Sequence, residues 1–202
     1  MKNPSQLFVI SGPSGVGKST IIEIVRERIE DLGYSISYAS RKPRSNEING
    51  VDYHFVDRET FNSMVDEGAF LEWAQVYNNL YGTSISTLRD QTDQGLDIIM
   101  DLDSGGAKNV KKYFKDSLLI FILPPSLESL KKRLTIRATD SKQVISERVE
   151  KAVQGLKDCA WYDYIIVNDD LERTVGAVKS IIMAERSRRF RMLPKVEEIM
   201  NF

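Results

Sequence analysis

Near its start the sequence carries residue types at a spacing suited to holding a chain of phosphates. It reads G-x-x-x-x-G-K-S over Gly12-Pro13-Ser14-Gly15-Val16-Gly17-Lys18-Ser19, and Thr20 follows. Glycines let successive backbone N–H groups turn inward around phosphate oxygens, where side chains would collide with the ligand. The lysine then reaches the β- and γ-phosphates, and the serine hydroxyl can bind Mg²⁺. The pattern predicts a nucleoside triphosphate site; a glycine-rich turn without a ligand is the alternative.

A second candidate anion site lies in the segment Arg41-Lys42-Pro43-Arg44. The proline holds the local backbone extended, so the two arginine side chains can converge on one anion, and a planar guanidinium can grip two phosphate oxygens at once. Hydroxyl groups of Tyr53 and Tyr81 could donate to the same phosphate. A solvated basic turn is the alternative interpretation of this cluster.

Elements of alternating type must position these residues. Short apolar runs predict strands at Leu7–Ile10, Ile98–Met100, Leu118–Leu123 and Tyr164–Val167. Helical spacing between and beyond them predicts helices at Thr20–Leu32 (with Gly33 as its stop), Arg58–Glu67, Gly106–Phe114, Ser126–Leu134, Ser141–Asp158 and Leu171–Arg186. Asp169 and Asp170 are placed to cap the last of these. The alternation predicts an α/β fold, in which helices cover both faces of a parallel sheet.

Two segments interrupt this alternation and are predicted to be insertions. Residues 37–88 combine short alternating stretches with turn signals at Asn49-Gly50 and Tyr81-Gly82, which predicts a small antiparallel sheet with one helix. Residues 133–148 are polar and charged, which is typical of a cover over a phosphate loop. For the tail, residues 187–202, we expect a solvated basic turn followed by an amphipathic end, with a loosely held helix as the alternative.

Composition limits the class of protein and its partners. The 202 residues include 28 basic and 29 acidic side chains, a net charge of −1, so no overall field would attract nucleic acid or an acidic membrane surface. A single cysteine, Cys159, and a single histidine, His54, cannot build a disulfide framework or a zinc cluster. The polar segment Met1–Gln6 predicts no signal peptide, and no apolar run approaches membrane-spanning length. We therefore expect one soluble cytoplasmic domain.

Several sequence blocks, taken together, resemble the guanylate kinases, a family of P-loop nucleoside monophosphate kinases that transfer the ATP γ-phosphate to GMP. The blocks occur in the family's order and spacing from about Leu7 to Glu185. They are Gly12–Thr20, Arg41–Arg44 with Glu47–Tyr53, Phe70–Ala74, Tyr81–Thr83, Met100–Asp103 and Ile166–Asp170.

The resemblance implies a three-layer P-loop NTPase core with a parallel sheet, a small mixed α+β GMP-binding insertion and a helical lid. Within one domain over residues 1–202, the core would comprise about 1–36, 89–132 and 149–186. The GMP-binding part would comprise about 37–88, the lid about 133–148 and the tail 187–202. Homo-oligomerisation is left open.

The resemblance also implies roles for individual residues. ATP would be held by Gly12–Thr20, which includes Lys18, and by Asn168. The GMP phosphate would be held by Arg41, Arg44, Tyr53 and Tyr81, and the guanine read by Ser37, Glu72 and Thr83, with Asp101 and Asp103 near the base. Lys18 and Arg41 would act in catalysis together with the lid arginines Arg133, Arg137 and Arg148. Mg²⁺ would bind Ser19, with Asp101 or Asp103 reaching it through water.

The chemistry of the bases supports the implied role of one of these residues. Guanine presents an N1–H and a 2-amino group side by side, so one carboxylate such as that of Glu72 can accept both hydrogen bonds, whereas adenine lacks this paired donor edge. For Asp101 and Asp103 capping at a strand end is the alternative, and for Asn168 an ordinary turn or cap.

Two other functions remain open at this level. One is a scaffold, in which the GMP cleft of a guanylate-kinase-like domain holds a phosphorylated peptide. The other is a related kinase that phosphorylates a different acceptor, such as a ribose phosphate. A plain ATPase or GTPase is disfavoured because Arg41 and Arg44 would have no task.

Overall fold

A computed structural model describes residues 5–76, 78–136, 153 and 155–200. Its strands are β1 (Leu7–Ser11), β2 (Leu32–Tyr34), β3 (Tyr38–Ala39), β4 (His54–Phe55), β5 (Phe70–Val76), β6 (Asn79–Ser84), β7 (Asp97–Asp101), β8 (Leu118–Leu123) and β9 (Tyr164–Val167). Its helices are α1 (Lys18–Arg28), α2 (Arg58–Asp66), α3 (Ile85–Asp93), α4 (Ser104–Tyr113), α5 (Leu127–Ile136), α6 (Leu171–Arg186) and α7 (Arg189–Met200), and a short 3-10 helix covers Lys157–Trp161. Among these described elements, no helix has both the length and the apolar character to cross a membrane.

The larger sheet has five parallel strands in the order β2-β7-β1-β8-β9. All four strands predicted from apolar runs belong to it, which confirms the α/β class. Alternate residues of the central strand β1 enter opposite layers: Phe8 and Ile10 pack with α1 and α6, whereas Leu7 and Val9 pack with α3 and α4. Burial on both faces explains why these strands read as continuous apolar runs.

The smaller sheet has the order β4-β3-β6-β5 and lies within the first predicted insertion. The prediction of a purely antiparallel sheet is wrong, because β3 pairs with β4 in parallel while β6 pairs antiparallel with both β3 and β5. The turn predicted at Tyr81-Gly82 is also wrong, since both residues lie inside β6. Gly82 is needed there for packing: a Cβ would lie 2.9 Å from Phe70 and 3.1 Å from Phe61.

The first helix is shorter than the spacing of apolar residues suggests. It ends at Arg28 rather than Leu32, and Gly33, the predicted stop, lies within strand β2. Ile29 and Leu32 are buried nonetheless, so their spacing reflects burial and not helix. Asp31 turns the chain with a positive φ of 57°.

The remaining helix predictions have different outcomes. The prediction over Leu171–Arg186 is confirmed, and Asp170 caps that helix by accepting from the backbone N–H of Arg173. Helix α3 and strand β2 were not predicted. The helix predicted over Ser141–Asp158 falls mostly outside the described residues.

The tail forms helix α7 rather than a solvated turn, and a buried carboxylate fixes it. The side chain of Asp97 is 4% exposed, and it accepts from Arg186 Nε at 2.8 Å and from the buried Arg191 at 2.8 Å. It also accepts from the backbone N–H of Gln6 at 2.7 Å. One carboxylate thus joins the entry of β1 to α6 and α7.

Replacing Asp97 with asparagine should destabilise the protein by about 3–5 kcal/mol, because two guanidinium groups would lose a buried counter-charge. Urea unfolding of the D97N variant measures this loss. Glu128→Gln is the control, since in the described part of the chain Glu128 pairs with Lys132 at an exposed surface, and the loss of this pair should leave stability nearly unchanged. Equal midpoints for D97N and the unaltered protein would contradict the anchoring role.

Candidate active site

The glycine-rich loop connects the end of β1 to the first turn of α1. Gly12 has a φ of 148°, and a Cβ at this position would collide with the carbonyl oxygen of Ile122 in β8. Helix α1 begins at Lys18 after Gly17, which has a φ of 104° and no side chain to cap the first N–H groups. These N–H groups and the positive end of the helix dipole therefore remain available to an anion. Around the loop lies a cavity of about 140 Å³, lined by Ser14, Gly15, Gly17, Lys18, Ser19 and Thr20.

An acidic side chain at the end of β7 faces this loop. Asp101 Oδ1 lies 3.7 Å from Lys18 Nζ, and Asp101 Oδ2 accepts from Ser19 Oγ at 3.4 Å. Lys18 also donates to the carbonyl oxygen of Gly12 at 3.0 Å, so its side chain lies across the loop. Asp103 caps α4 by accepting from the backbone N–H of Gly106 at 2.8 Å, and it also borders a second, larger cavity.

A larger cavity of about 320 Å³ joins the loop to the smaller sheet, and we call it the acceptor cavity. Eight of the nine residues predicted to bind GMP line it: Ser37, Arg41, Arg44, Tyr53, Glu72, Tyr81, Asp101 and Asp103. The ninth, Thr83, is fully buried behind Glu72. Ser14 and Lys18 line both cavities, so the two open onto the same lysine.

One end of the acceptor cavity holds a buried carboxylate that no cation in the described structure neutralises. Glu72 on β5 is 7% exposed and accepts from Thr83 Oγ1 on β6 at 2.7 Å. Burial, assisted by the neighbouring charge of Asp103, raises the pKa of Glu72 above its ordinary value. A Cβ on Gly106 would lie 2.9 Å from Glu72 Oε2, so the glycine leaves room for the carboxylate. This end of the cavity can accept hydrogen bonds from a ligand.

The other end holds the two predicted arginines, which the structure brings around a residue that was not predicted to take part. Arg41 donates through both terminal nitrogens to Glu47, at 2.6 and 2.8 Å, and through Nε to the Tyr81 hydroxyl at 3.0 Å. Arg44 Nη1 lies 3.8 Å from Glu47, and 69% of the Arg44 side chain is exposed. The hydrogen bond from Arg41 and that from the backbone N–H of Arg44 hold the pKa of Glu47 at about 2.

Tyr53 completes this end of the cavity. Its ring meets that of Tyr81 edge-on, with centroids 5.8 Å apart, and the Arg41 guanidinium lies 5.3 Å from the Tyr53 centroid. Burial raises the pKa of Tyr53 to about 12, so its hydroxyl keeps its hydrogen at neutral pH and can donate it. The end as a whole offers cationic and hydroxyl donors.

Two of the residues predicted to contact ATP hold the glycine-rich loop through hydrogen bonds to its backbone. The buried Asn168 donates through Nδ2 to the carbonyl oxygen of Val16 at 2.7 Å and accepts from Thr174 Oγ1 at 3.0 Å. Arg133 donates to the same Val16 oxygen at 3.1 Å. The predicted contacts of these two side chains with ATP stay predictions. Arg137 and Arg148 lie outside the described residues.

Comparison with known proteins identifies the family. The guanylate kinase family model matches residues 4–185. A guanylate kinase from Geobacter metallireducens is 46% identical over 198 residues, which cover 98% of each chain, and one from Geobacter sulfurreducens is 44% identical over 201 residues. The crystal structure of guanylate kinase from Anaplasma phagocytophilum superposes with a TM-score of 0.77 at 31% identity, covering 95% of this chain and 91% of that one. The chain therefore belongs to the guanylate kinase family, the ATP-dependent enzymes that phosphorylate GMP to GDP.

Proposed function

We propose that the acceptor cavity binds GMP and that the Gly12–Thr20 loop binds ATP, so that the γ-phosphate passes from one to the other beside Lys18. The observation that carries this proposal is the overlap of the two cavities at Ser14 and Lys18. A phosphoryl donor on the loop and an acceptor in the larger cavity would meet at the same lysine. Residues 37–88 would then form the GMP-binding part of the domain.

Guanine is the base that suits the Glu72 end of the cavity. Within the described residues Thr83 is the hydrogen-bond donor to the Glu72 carboxylate, whose two oxygens have capacity left to accept from the guanine N1–H and 2-amino group. Adenine would leave this buried carboxylate unpaired, which costs free energy. Ser37 and Asp103 border the same space and would complete the contacts with the base.

The opposite end of the cavity suits the GMP phosphate. Arg44 is free to close on an anion because most of its side chain is exposed, and the Tyr53 and Tyr81 hydroxyls can donate to the same group. Arg41 adds positive charge from a fixed position. Four donors around one phosphate would hold its oxygen ready for attack on the γ-phosphorus of ATP.

The side chains near the loop suit Mg²⁺, which the family generally requires. Ser19 Oγ and Asp101 Oδ2 are oxygen ligands 3.4 Å apart, and Mg²⁺ prefers oxygen ligands alongside substrate phosphates. Ser19 would hold the ion directly, with Asp101 or Asp103 reaching it through water. When bound, the ion would offset negative charge on the ATP phosphates.

Transfer needs position and positive charge rather than a covalent intermediate. An oxygen of the GMP phosphate attacks the γ-phosphorus as the bond to the β-phosphate oxygen breaks, which gives GDP and ADP. The loop N–H groups and Lys18 would stabilise the charge that develops on the transferred group. Arg133 donates a hydrogen bond to the backbone of the loop. The family resemblance implies that Arg137 and Arg148, in the lid, also contact the ATP phosphates.

We further propose that the enzyme works in the cytoplasm. The support is its substrate pair, ATP and GMP, together with the free thiol of Cys159, which suits a reducing compartment.

Acceptor specificity can be measured directly. We expect ADP release from ATP and Mg²⁺ to depend strongly on GMP and only weakly on AMP, UMP or ribose phosphates, because only guanine offers Glu72 two adjacent donors. A coupled assay with each acceptor, and with none, measures this. If ADP release were greatest with a ribose phosphate, the acceptor would be that compound and not GMP. If no acceptor caused ADP release, the phosphopeptide scaffold would be favoured.

Replacing Glu72 with glutamine should raise the KM for GMP by about ten- to a hundredfold, since an amide can accept only one of the two guanine donors. In the unaltered enzyme, the KM for GMP should rise as the pH falls through the raised pKa of Glu72 and stay constant above it, because the protonated carboxyl loses an acceptor. The E72Q variant should lose this pH dependence. Steady-state kinetics from pH 5 to 8 tests both statements.

Two control measurements accompany E72Q. The KM for ATP should not change, because Glu72 lies at the acceptor end. The melting temperature at pH 7 should not fall: a carboxyl whose pKa is raised by folding stabilises only at low pH, and its ionised form costs stability above that pKa. A variant that melts earlier and binds both substrates poorly would mean that Glu72 is structural.

Replacing Arg44 with methionine should weaken GMP use by about 1.5–3 kcal/mol, because one charge-assisted hydrogen bond to the phosphate is lost. Since Arg44 is largely exposed, the melting temperature should remain that of the unaltered protein. The KM for GMP and kcat of R44M, compared with those of K42M as a neighbouring surface control, measure the effect. An unchanged KM in R44M would remove Arg44 from the phosphate site.

A further inference from the structure

Arg41 has little hydrogen-bonding capacity left for a ligand. A guanidinium carries five N–H groups. Within the described part of the chain, Arg41 donates through Nε to the Tyr81 hydroxyl, through Nη1 to Glu47 and to the carbonyl oxygen of Lys42, and through Nη2 to Glu47. These four hydrogen bonds leave one N–H for a phosphate. Arg41 therefore contributes mainly its charge and its fixed position.

Glu47 is the group that fixes it. The carboxylate is 12% exposed and accepts both terminal nitrogens of Arg41 together with the backbone N–H of Arg44 at 2.8 Å. The backbone N–H of Glu47 donates in return to the carbonyl oxygen of Arg44 at 3.1 Å, which closes a turn over residues 44–47. An incoming phosphate would have to break three charge-assisted hydrogen bonds to displace this carboxylate.

The effect of Glu47 extends through Arg41 to the Tyr81 hydroxyl. Because the Tyr81 oxygen accepts from Arg41 Nε at 3.0 Å, its own hydrogen must point elsewhere, and the side chain lines the acceptor cavity. A hydroxyl that accepts from a cation is also a stronger donor, since hydrogen bonds in a chain polarise one another.

We propose that Glu47 is a positioning residue for the acceptor phosphate: it locks Arg41, and Arg41 in turn directs the Tyr81 hydroxyl at the phosphate of GMP. This inference rests on the proposed function of the acceptor cavity. Glu47 stays in place when GMP binds and does not touch the nucleotide. The direct contacts come from Arg44, Tyr53, Tyr81 and the last N–H of Arg41.

Glu47→Gln tests the inference with little change of shape. We expect the KM for GMP to rise at least about tenfold, while kcat and the KM for ATP stay within about twofold. Guanosine lacks the phosphate, so its inhibition constant should be unchanged in E47Q. Glu172→Gln is the matched control, because Glu172 binds Arg28 through the same two-pronged geometry, at 2.6 and 2.8 Å, away from the cavity; its kinetics should equal those of the unaltered enzyme.

A double-mutant cycle with Tyr81→Phe tests the path through Arg41. If Glu47 acts through Tyr81, the E47Q/Y81F variant should lose less GMP affinity than the sum of the single losses. Strict additivity would overturn the path.

Three kinetic outcomes would overturn the inference as a whole. A lower KM for GMP in E47Q would mean that Glu47 competes with the phosphate, and an unchanged KM would mean that it has no role. Parallel losses of GMP and guanosine affinity would mean that the variant has lost structure. Absence of GMP-dependent ADP release in the unaltered enzyme would instead contradict the proposed function.

Discussion

The active site depends on the register between two neighbouring parallel strands. In the central sheet Ile10 of β1 pairs with Asp101 of β7, so the glycine-rich loop and the acidic group leave the sheet side by side. With the glycine-rich loop leading from β1 into α1, that register places Ser19 and Lys18 against Asp101. Because a one-residue slip would move every side chain of β1 into the opposite packed layer, this register is strongly fixed, and it keeps the phosphate loop beside the acidic group.

Two carboxylates with opposite pKa shifts give the acceptor cavity its polarity. Glu47 is stabilised in its ionised form by Arg41, whereas Glu72 is ionised at a cost because burial outweighs its hydrogen bond from Thr83. Glu47 holds the arginine side chains in place, whereas the Glu72 carboxylate can accept further hydrogen bonds from a ligand. A ligand with hydrogen-bond donors at one end and an anionic group at the other would complement this polarity, and GMP carries both.

Sequence patterns predicted the parts of the fold and site whose chemistry is local. Local residue patterns were enough to predict strands β1, β7, β8 and β9, from their apolar runs, and the glycine-rich loop, from its motif. Glu47 was not singled out, because its role arises from the chain folding Arg41 back onto it. Gly82 suggested a turn, although its purpose is to leave space for Phe61 and Phe70, which only tertiary packing reveals. Leu32 suggested helix because burial has the same spacing whether the backbone is helical or extended.

The carboxylate of Asp97 carries a consequence for the order of folding. Its partners Arg186 and Arg191 follow it in the chain by 89 and 94 residues, and both lie beyond the match to the family, which ends at residue 185. During synthesis β7 leaves the ribosome well before these arginines exist. Until those arginines have been made and α6 and α7 have packed, the carboxylate at the start of β7 lacks its two counter-charges, so the sheet reaches its final stability only after residue 191 has been synthesised.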